Sequence, residues 1–176
     1  MPAPDNSVDP EVQDTESPDE GTRGVARAVV RWLLVVLLGV AGVGHFAAAE
    51  AFRAQVPPWM PWPEAVIAVS GVVELVLSAA LAFAPRRHRP VVGWVVAAFF
   101  VAVFPGNVSQ YVTGTPAFGL ESDTARFVRL LFQPVLVAAA LWSTGAWATW
   151  RARRRAAGPR SGRSDHAAGR RGEETY

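Results

Sequence analysis

The stretch Ala65–Ala84, AVIAVSGVVELVLSAALAFA, decides how this chain is read. It is 20 residues long and apolar except for Ser70, Ser78 and one acid, Glu74, near its centre. About 20 consecutive apolar residues are what a helix needs to cross the hydrocarbon core of a bilayer. A carboxylate in the middle of such a span is disfavoured by about 3 kcal/mol on insertion scales, so it calls for a partner or a task.

Three further apolar runs surround this one: Trp32–Ala49, Val91–Phe104 and Phe127–Trp150. None shows the alternating polar face of a helix in a soluble bundle. The run from Val91 is short for a span; it reaches full length through Pro105 to Val108 if packing shelters the backbone there. The pattern predicts an all-α polytopic membrane protein, a four-helix bundle with helices at about 28–49, 64–84, 90–108 and 124–150.

The charges sit at the ends. Seven of the fifteen acids precede Gly21, and eight of the seventeen basic residues follow Trp150. Residues 1–24 are acidic, proline-rich and poor in apolar groups, which predicts a disordered tail. Residues 151–176 form a basic tail that is also expected to be disordered. The membrane domain is then 25–150. The acidic leader is unlike a secretory n-region. Ala47–Ala49 resembles a small-residue cleavage site, but the bulky His45–Phe46 pair just before it argues against cleavage.

Arginine placement predicts topology. Arg23, Arg27 and Arg31 precede the first span, Arg86, Arg87 and Arg89 separate the second and third, and Arg151, Arg153, Arg154 and Arg155 follow the fourth. Cytoplasmic loops retain positive charge, so both termini are expected in the cytoplasm and loops 47–62 and 105–125 outside. The basic cluster after Trp150 is expected to attract anionic lipid headgroups. No aromatic platform accompanies it, so nucleic acid is not an expected partner. With no cysteine, thiol redox chemistry and disulfides are excluded. The three histidines are far apart and show no metal-ligand spacing. The absence of lysine is a compositional bias associated with high-GC bacteria.

At about 1.5 Å rise per residue, Glu74 lies roughly 13 Å and Gln133 roughly 9 Å from the outer ends of their helices. Arg129 is one turn above Gln133, His45 is near the outer end of the first helix, and Asn107 and Gln110 close the third. The polar groups of the spans therefore gather in the outer half. Ser70, Glu74 and Ser78, spaced by four, form a stripe that must face the bundle interior. Two readings follow. Glu74 and Arg129 form a structural ion pair between helices, or Glu74 and His45 handle a proton or a ligand in a polar pocket. The loop VPPWMPWPE is too rich in proline for helix or sheet and is expected to be a rigid, extended lid.

The segments GVGHF, FRAQVPPWMPWP, VSGVVELVLSAAL, VFPGNVSQYVTG and RFVRLLFQPVLV, spread over residues 42–142, resemble the DoxX-like family of small bacterial membrane proteins. The resemblance implies four transmembrane helices and a polar set at His45, Glu74, Asn107, Arg129 and Gln133, beside Ser70 of the stripe. It also implies a multi-pass protein of the bacterial cell membrane. Some relatives serve quinone-linked redox systems, so an accessory or subunit role beside a redox protein is expected, with a quinone as the implied small molecule. Independent catalysis is not expected. The alternatives are a non-catalytic scaffold or assembly factor pinned by a Glu74–Arg129 pair, and a small-molecule transporter. Four helices are few for alternating access, so transport would require a homo-oligomer.

Overall fold

The computed structural model describes residues 18–117, 119 and 122–157. Six helices follow in order: α1 (Pro18–Ala47), α2 (Ala49–Arg53), α3 (Pro63–Phe83), α4 (Arg89–Thr113), α5 (Asp123–Ser143) and α6 (Ala146–Ala156). No strand occurs among the described residues. Residues 21–47 of α1, together with α3, α4 and α5, are long and apolar enough to cross a membrane. The all-α, four-span architecture is therefore as the apolar runs predicted.

The termini of these helices follow from local chemistry. Pro63 opens α3, where a missing N–H removes no intrahelical bond, and Glu64 in the first turn faces the positive end of the helix dipole. At the start of α5, the Ser122 hydroxyl accepts from the Ala125 backbone N–H at 3.2 Å. Gly114, at φ +64°, ends α4 in the left-handed region that glycine adopts without strain.

Several boundaries differ from the sequence reading. α1 begins at Pro18, so part of the expected N-terminal tail is helical; residues 1–17 and 158–176 of the two tails lie outside the described residues. α4 runs unbroken through Pro105 and past the expected end at 108 to Thr113. The helix expected over 124–150 is two helices, separated at Thr144 and Gly145. Gly145 has φ +73°, which no right-handed helix accommodates. The loop VPPWMPWPE, expected to be extended, contains a backbone turn, Met60 N–H to Pro57 C=O at 2.9 Å, and the short α2 lies just before it.

α1 packs along α3 and α4 packs along α5, with α1 against α5 and a sparser α3–α4 contact closing the bundle. The α1–α3 seam is built on small residues. A Cβ on Gly71 would come within 2.7 Å of the His45 Cβ, and one on Gly42 within 3.0 Å of the Gly71 carbonyl oxygen. Close approach of this kind is how membrane helices gain packing without a hydrophobic drive between them. Ser78 adds a hydrogen bond across the seam, donating to the Val35 carbonyl at 2.8 Å.

Burial is inverted relative to a water-soluble bundle. Val40, Val72, Val76, Val101, Val128 and Val135 are exposed, whereas Arg31, His45, Glu74, Asn107, Gln110 and Gln133 are buried. An apolar exterior around a polar interior suits a hydrocarbon solvent. The chain is thus a multi-pass membrane protein by its helices. Along the bundle axis the interior divides. Leu34, Leu38, Leu77, Leu81, Val96 and Phe100 pack as the apolar core in the half nearer the α3–α4 connection. The buried amides, His45 and Glu74 lie toward the half nearer α2.

The opposite end is tied by arginines. Arg31 donates to the Leu81 carbonyl at 2.6 Å and to that of Ala82 at 3.3 Å, and Arg89 donates to Ala84 at 3.3 Å. These guanidiniums satisfy carbonyls that the end of α3 leaves without helical partners.

Candidate functional site: a cavity at the α2 end of the bundle

A cavity of about 670 Å³ occupies the bundle beneath α2 and the loop that follows it. Each of the four long helices contributes to its wall. Leu37 and Leu38 of α1, Phe99 and Phe100 of α4 and Phe132 and Leu136 of α5 give it an apolar lining. His45, Gln55, Ser70, Glu74, Asn107, Arg129 and Gln133 supply its polar groups. Gln55, Pro57 and Met60 close it on the α2 side.

The geometry of the polar set is specific. His45 and Glu74 are each 9% exposed. The Nδ1 of His45 lies 2.9 Å from the Ala41 carbonyl oxygen and 3.1 Å from Glu74 Oε2. A carbonyl only accepts, so the first contact requires a hydrogen on Nδ1. The same Nδ1 lies within hydrogen-bonding reach of two acceptors, the Ala41 carbonyl and Glu74 Oε2. The imidazole also packs against Phe52 of α2, with ring centroids 3.8 Å apart and the planes tilted by 33°.

Across the cavity, Asn107 Nδ2 donates to Gln133 Oε1 at 2.9 Å, and Gln133 Nε2 donates to the Phe100 carbonyl at 2.5 Å. Pro105 lacks the N–H that would bond the Val101 carbonyl, so the α4 backbone is loosened beside this acceptor. Arg129 donates to Gln110 Oε1 at 3.2 Å and to Gln55 Oε1 at 2.8 Å. The Nε2 of Gln55 is buried without an acceptor.

All six residues singled out from the sequence line this one cavity. What changes is the pairing. The ion-pair contact of Glu74 is with His45, whereas Arg129 hydrogen-bonds two glutamines, one of them on the loop. Glu74 and Arg129 sit on helices α3 and α5, which do not pack directly against each other. Ser70 lines the cavity, while Ser78 of the same stripe is used by the α1–α3 seam. Sequence reasoning missed Phe52 and Gln55. A signal was available for Gln55, the sole polar side chain between Ala54 and Glu64 in an otherwise apolar, proline-rich loop. Among the described residues no group of three or more His, Asp or Glu could hold a metal ion.

The arrangement is an amphipathic chamber. Its walls suit an apolar ring or chain, its polar end presents Arg129 and the amides as donors, and Glu74 is an acceptor. Two of its polar atoms, Glu74 Oε2 and Gln55 Nε2, have unused hydrogen-bonding capacity. Leaving such groups buried and unpaired costs about 1–3 kcal/mol each.

A family model described as a domain of unknown function (DUF8561) matches residues 34–144, which span the bundle and the whole cavity lining, and the chain belongs to that family. No curated protein and no solved structure matches it.

Proposed function

We propose that this member of the DUF8561 family is a DoxX-like accessory component of a quinone-linked redox system in the bacterial cell membrane, and that its cavity holds the quinone or a similar small apolar molecule. The observation that carries this reading is the cavity itself: apolar walls, and a polar end with one donor and one acceptor still unpaired. A quinone head offers carbonyl acceptors for Gln55 and Arg129. Its reduced form offers a hydroxyl for Glu74. Binding pockets for such molecules are mostly apolar with a few convergent polar groups. Both termini are read as cytoplasmic from the arginines flanking the spans.

On that topology α6 lies at the cytoplasmic interface. Trp147 and Trp150 stack with centroids 5.0 Å apart, and Arg154 sits 4.5 Å from the Trp150 ring. Indoles and arginines on one short helix favour the headgroup region, and anionic lipids are the partner proposed for it.

The test is purification of the full chain from native membranes in mild detergent, followed by extraction and mass spectrometry of bound small molecules and proteins. The expected result is a quinone at near-stoichiometric amount in wild type, reduced at least fivefold in Glu74→Gln, together with a redox protein above background. Neither quinone nor redox partner above background would reject the reading.

A scaffold or assembly role is the second reading. It is favoured by the tight Gly42–Gly71 seam and the His45–Glu74 contact, which hold α1 and α3 together without needing a ligand. Retention of partner binding in Glu74→Gln, with no small molecule in either protein, would support it.

A further inference from the structure

A second, smaller cavity of about 230 Å³ also has His45 in its wall. It is lined by Phe46, Ala49, Glu50 and Arg53 of the α1–α2 region and by Glu64 and Ala68 of α3. His45 and Ile67 belong to the walls of both cavities. The imidazole thus forms part of the partition between the ligand chamber and a charged pocket at the end of the bundle. Glu50, Arg53 and Glu64 in that pocket are exposed, and Arg53 pairs with Glu64.

We infer that His45 is a proton-exchange residue linking the buried carboxyl of Glu74 to water in the smaller, α2-side cavity. As regulation of the ligand chamber this rests on the proposed function; proton exchange at Glu74 itself does not.

The atoms support a definite route. The Ala41 carbonyl accepts from Nδ1, so in the neutral ring Nε2 is the basic nitrogen. A proton taken up at Nε2 from water gives an imidazolium with hydrogens on both nitrogens. The Nδ1 hydrogen is then within reach of Glu74 Oε2, at 3.1 Å between heavy atoms. Transfer of that hydrogen leaves a neutral carboxylic acid and a neutral imidazole. One proton has been gained at Nε2 and one passed to Oε2. The reverse sequence returns it, and no other reactant is required. Histidine is the side chain whose ordinary titration range suits such shuttling.

The groups facing His45 from each packed element fit this role. On its own helix there is the Ala41 carbonyl, on α2 Phe52 with Glu50 and Arg53, and on α3 Glu74 and Glu64. Across the main cavity are Asn107 of α4 and Arg129 of α5. Phe52 covers the ring and Ile67 seals beside it, so the imidazole is the polar element of an otherwise apolar partition.

The experiment needs no ligand, so an empty cavity does not bear on it. The full chain is placed in neutral-lipid nanodiscs, and the carboxylic C=O stretch of Glu74, assigned by its loss in Glu74→Gln, is followed after a pH jump by time-resolved infrared spectroscopy. His45→Phe, which keeps a ring against Phe52, is expected to slow the response at least tenfold. Ala68→Trp, which fills the smaller cavity and leaves the histidine in place, is expected to slow it comparably and serves if His45→Phe does not fold. An unchanged rate in either folded variant overturns the inference, as does a Glu74 band that does not respond to the jump in wild type.

Discussion

His45 and Glu74 meet across the α1–α3 seam, with Nδ1 and Oε2 3.1 Å apart, and the same nitrogen also faces the Ala41 carbonyl at 2.9 Å. The carboxylate thus shares its one close partner with a backbone acceptor. A buried carboxylate so sparsely partnered is costly to hold in an apolar span.

The first prediction concerns that cost. Glu74→Leu, similar in volume and apolar, is expected to raise stability by about 1–3 kcal/mol, because replacing a poorly satisfied buried charge with a packed apolar group is often neutral or stabilising. The same variant should lose the small molecule proposed for the cavity. Thermal unfolding in detergent, followed by tryptophan fluorescence, checks the first effect and lipid extraction the second.

Glu74 should couple energetically to His45 more than to Arg129. A double-mutant cycle between Glu74→Gln and His45→Phe is expected to give an interaction energy of about 1 kcal/mol or more, and the Glu74–Arg129 cycle a smaller one. A larger Glu74–Arg129 value would restore the ion pair suggested by helix depth.

The Asn107–Gln133–Phe100 chain of hydrogen bonds should behave as a unit. Gln133→Leu leaves the Asn107 amide and the Phe100 carbonyl short of partners and is expected to cost about 1–3 kcal/mol. Adding Asn107→Leu should recover part of that loss. Equilibrium unfolding of the two single variants and the double variant measures it.

Glycine substitutions separate the seam from the periphery. Gly71→Ala places a methyl against His45, Phe46 and the Gly42 carbonyl and is expected to destabilise by about 1–3 kcal/mol. Gly24→Ala, with nothing within 4 Å of the new Cβ, should be neutral or slightly stabilising through helix propensity. The comparison requires only melting temperatures of both variants in one detergent.

At the other end of the bundle, changing Arg153, Arg154 and Arg155 together to Gln should weaken association of α6 with anionic bilayers. The expected loss is about 1 kcal/mol per charge near the surface, diminished by added salt. Trp147 and Trp150 report it through their fluorescence in vesicles of graded anionic-lipid content.

The sequence by itself determined the number and approximate positions of the spans, because about 20 apolar residues crossing a hydrocarbon core leave few alternatives. It also placed His45, Glu74, Asn107, Arg129 and Gln133 near one end, since alternating helix direction converts residue number into depth. Helix ends at Pro63 and Ser122 were legible from local chemistry. The continuation of α4 through Pro105 was legible to 108, but its further run to Thr113 was not, because the apolar run ends before the helix does. Nor was the break at Gly145, since an isolated glycine inside an apolar run does not announce its φ. Which polar groups meet was decided only by the tertiary structure. Depth orders residues along the axis, but rotation and helix adjacency choose partners, and α1 rather than α5 lies against α3. That packing turned Glu74 toward His45, left Arg129 to the glutamines, and enclosed the cavity among residues that are distant in the chain.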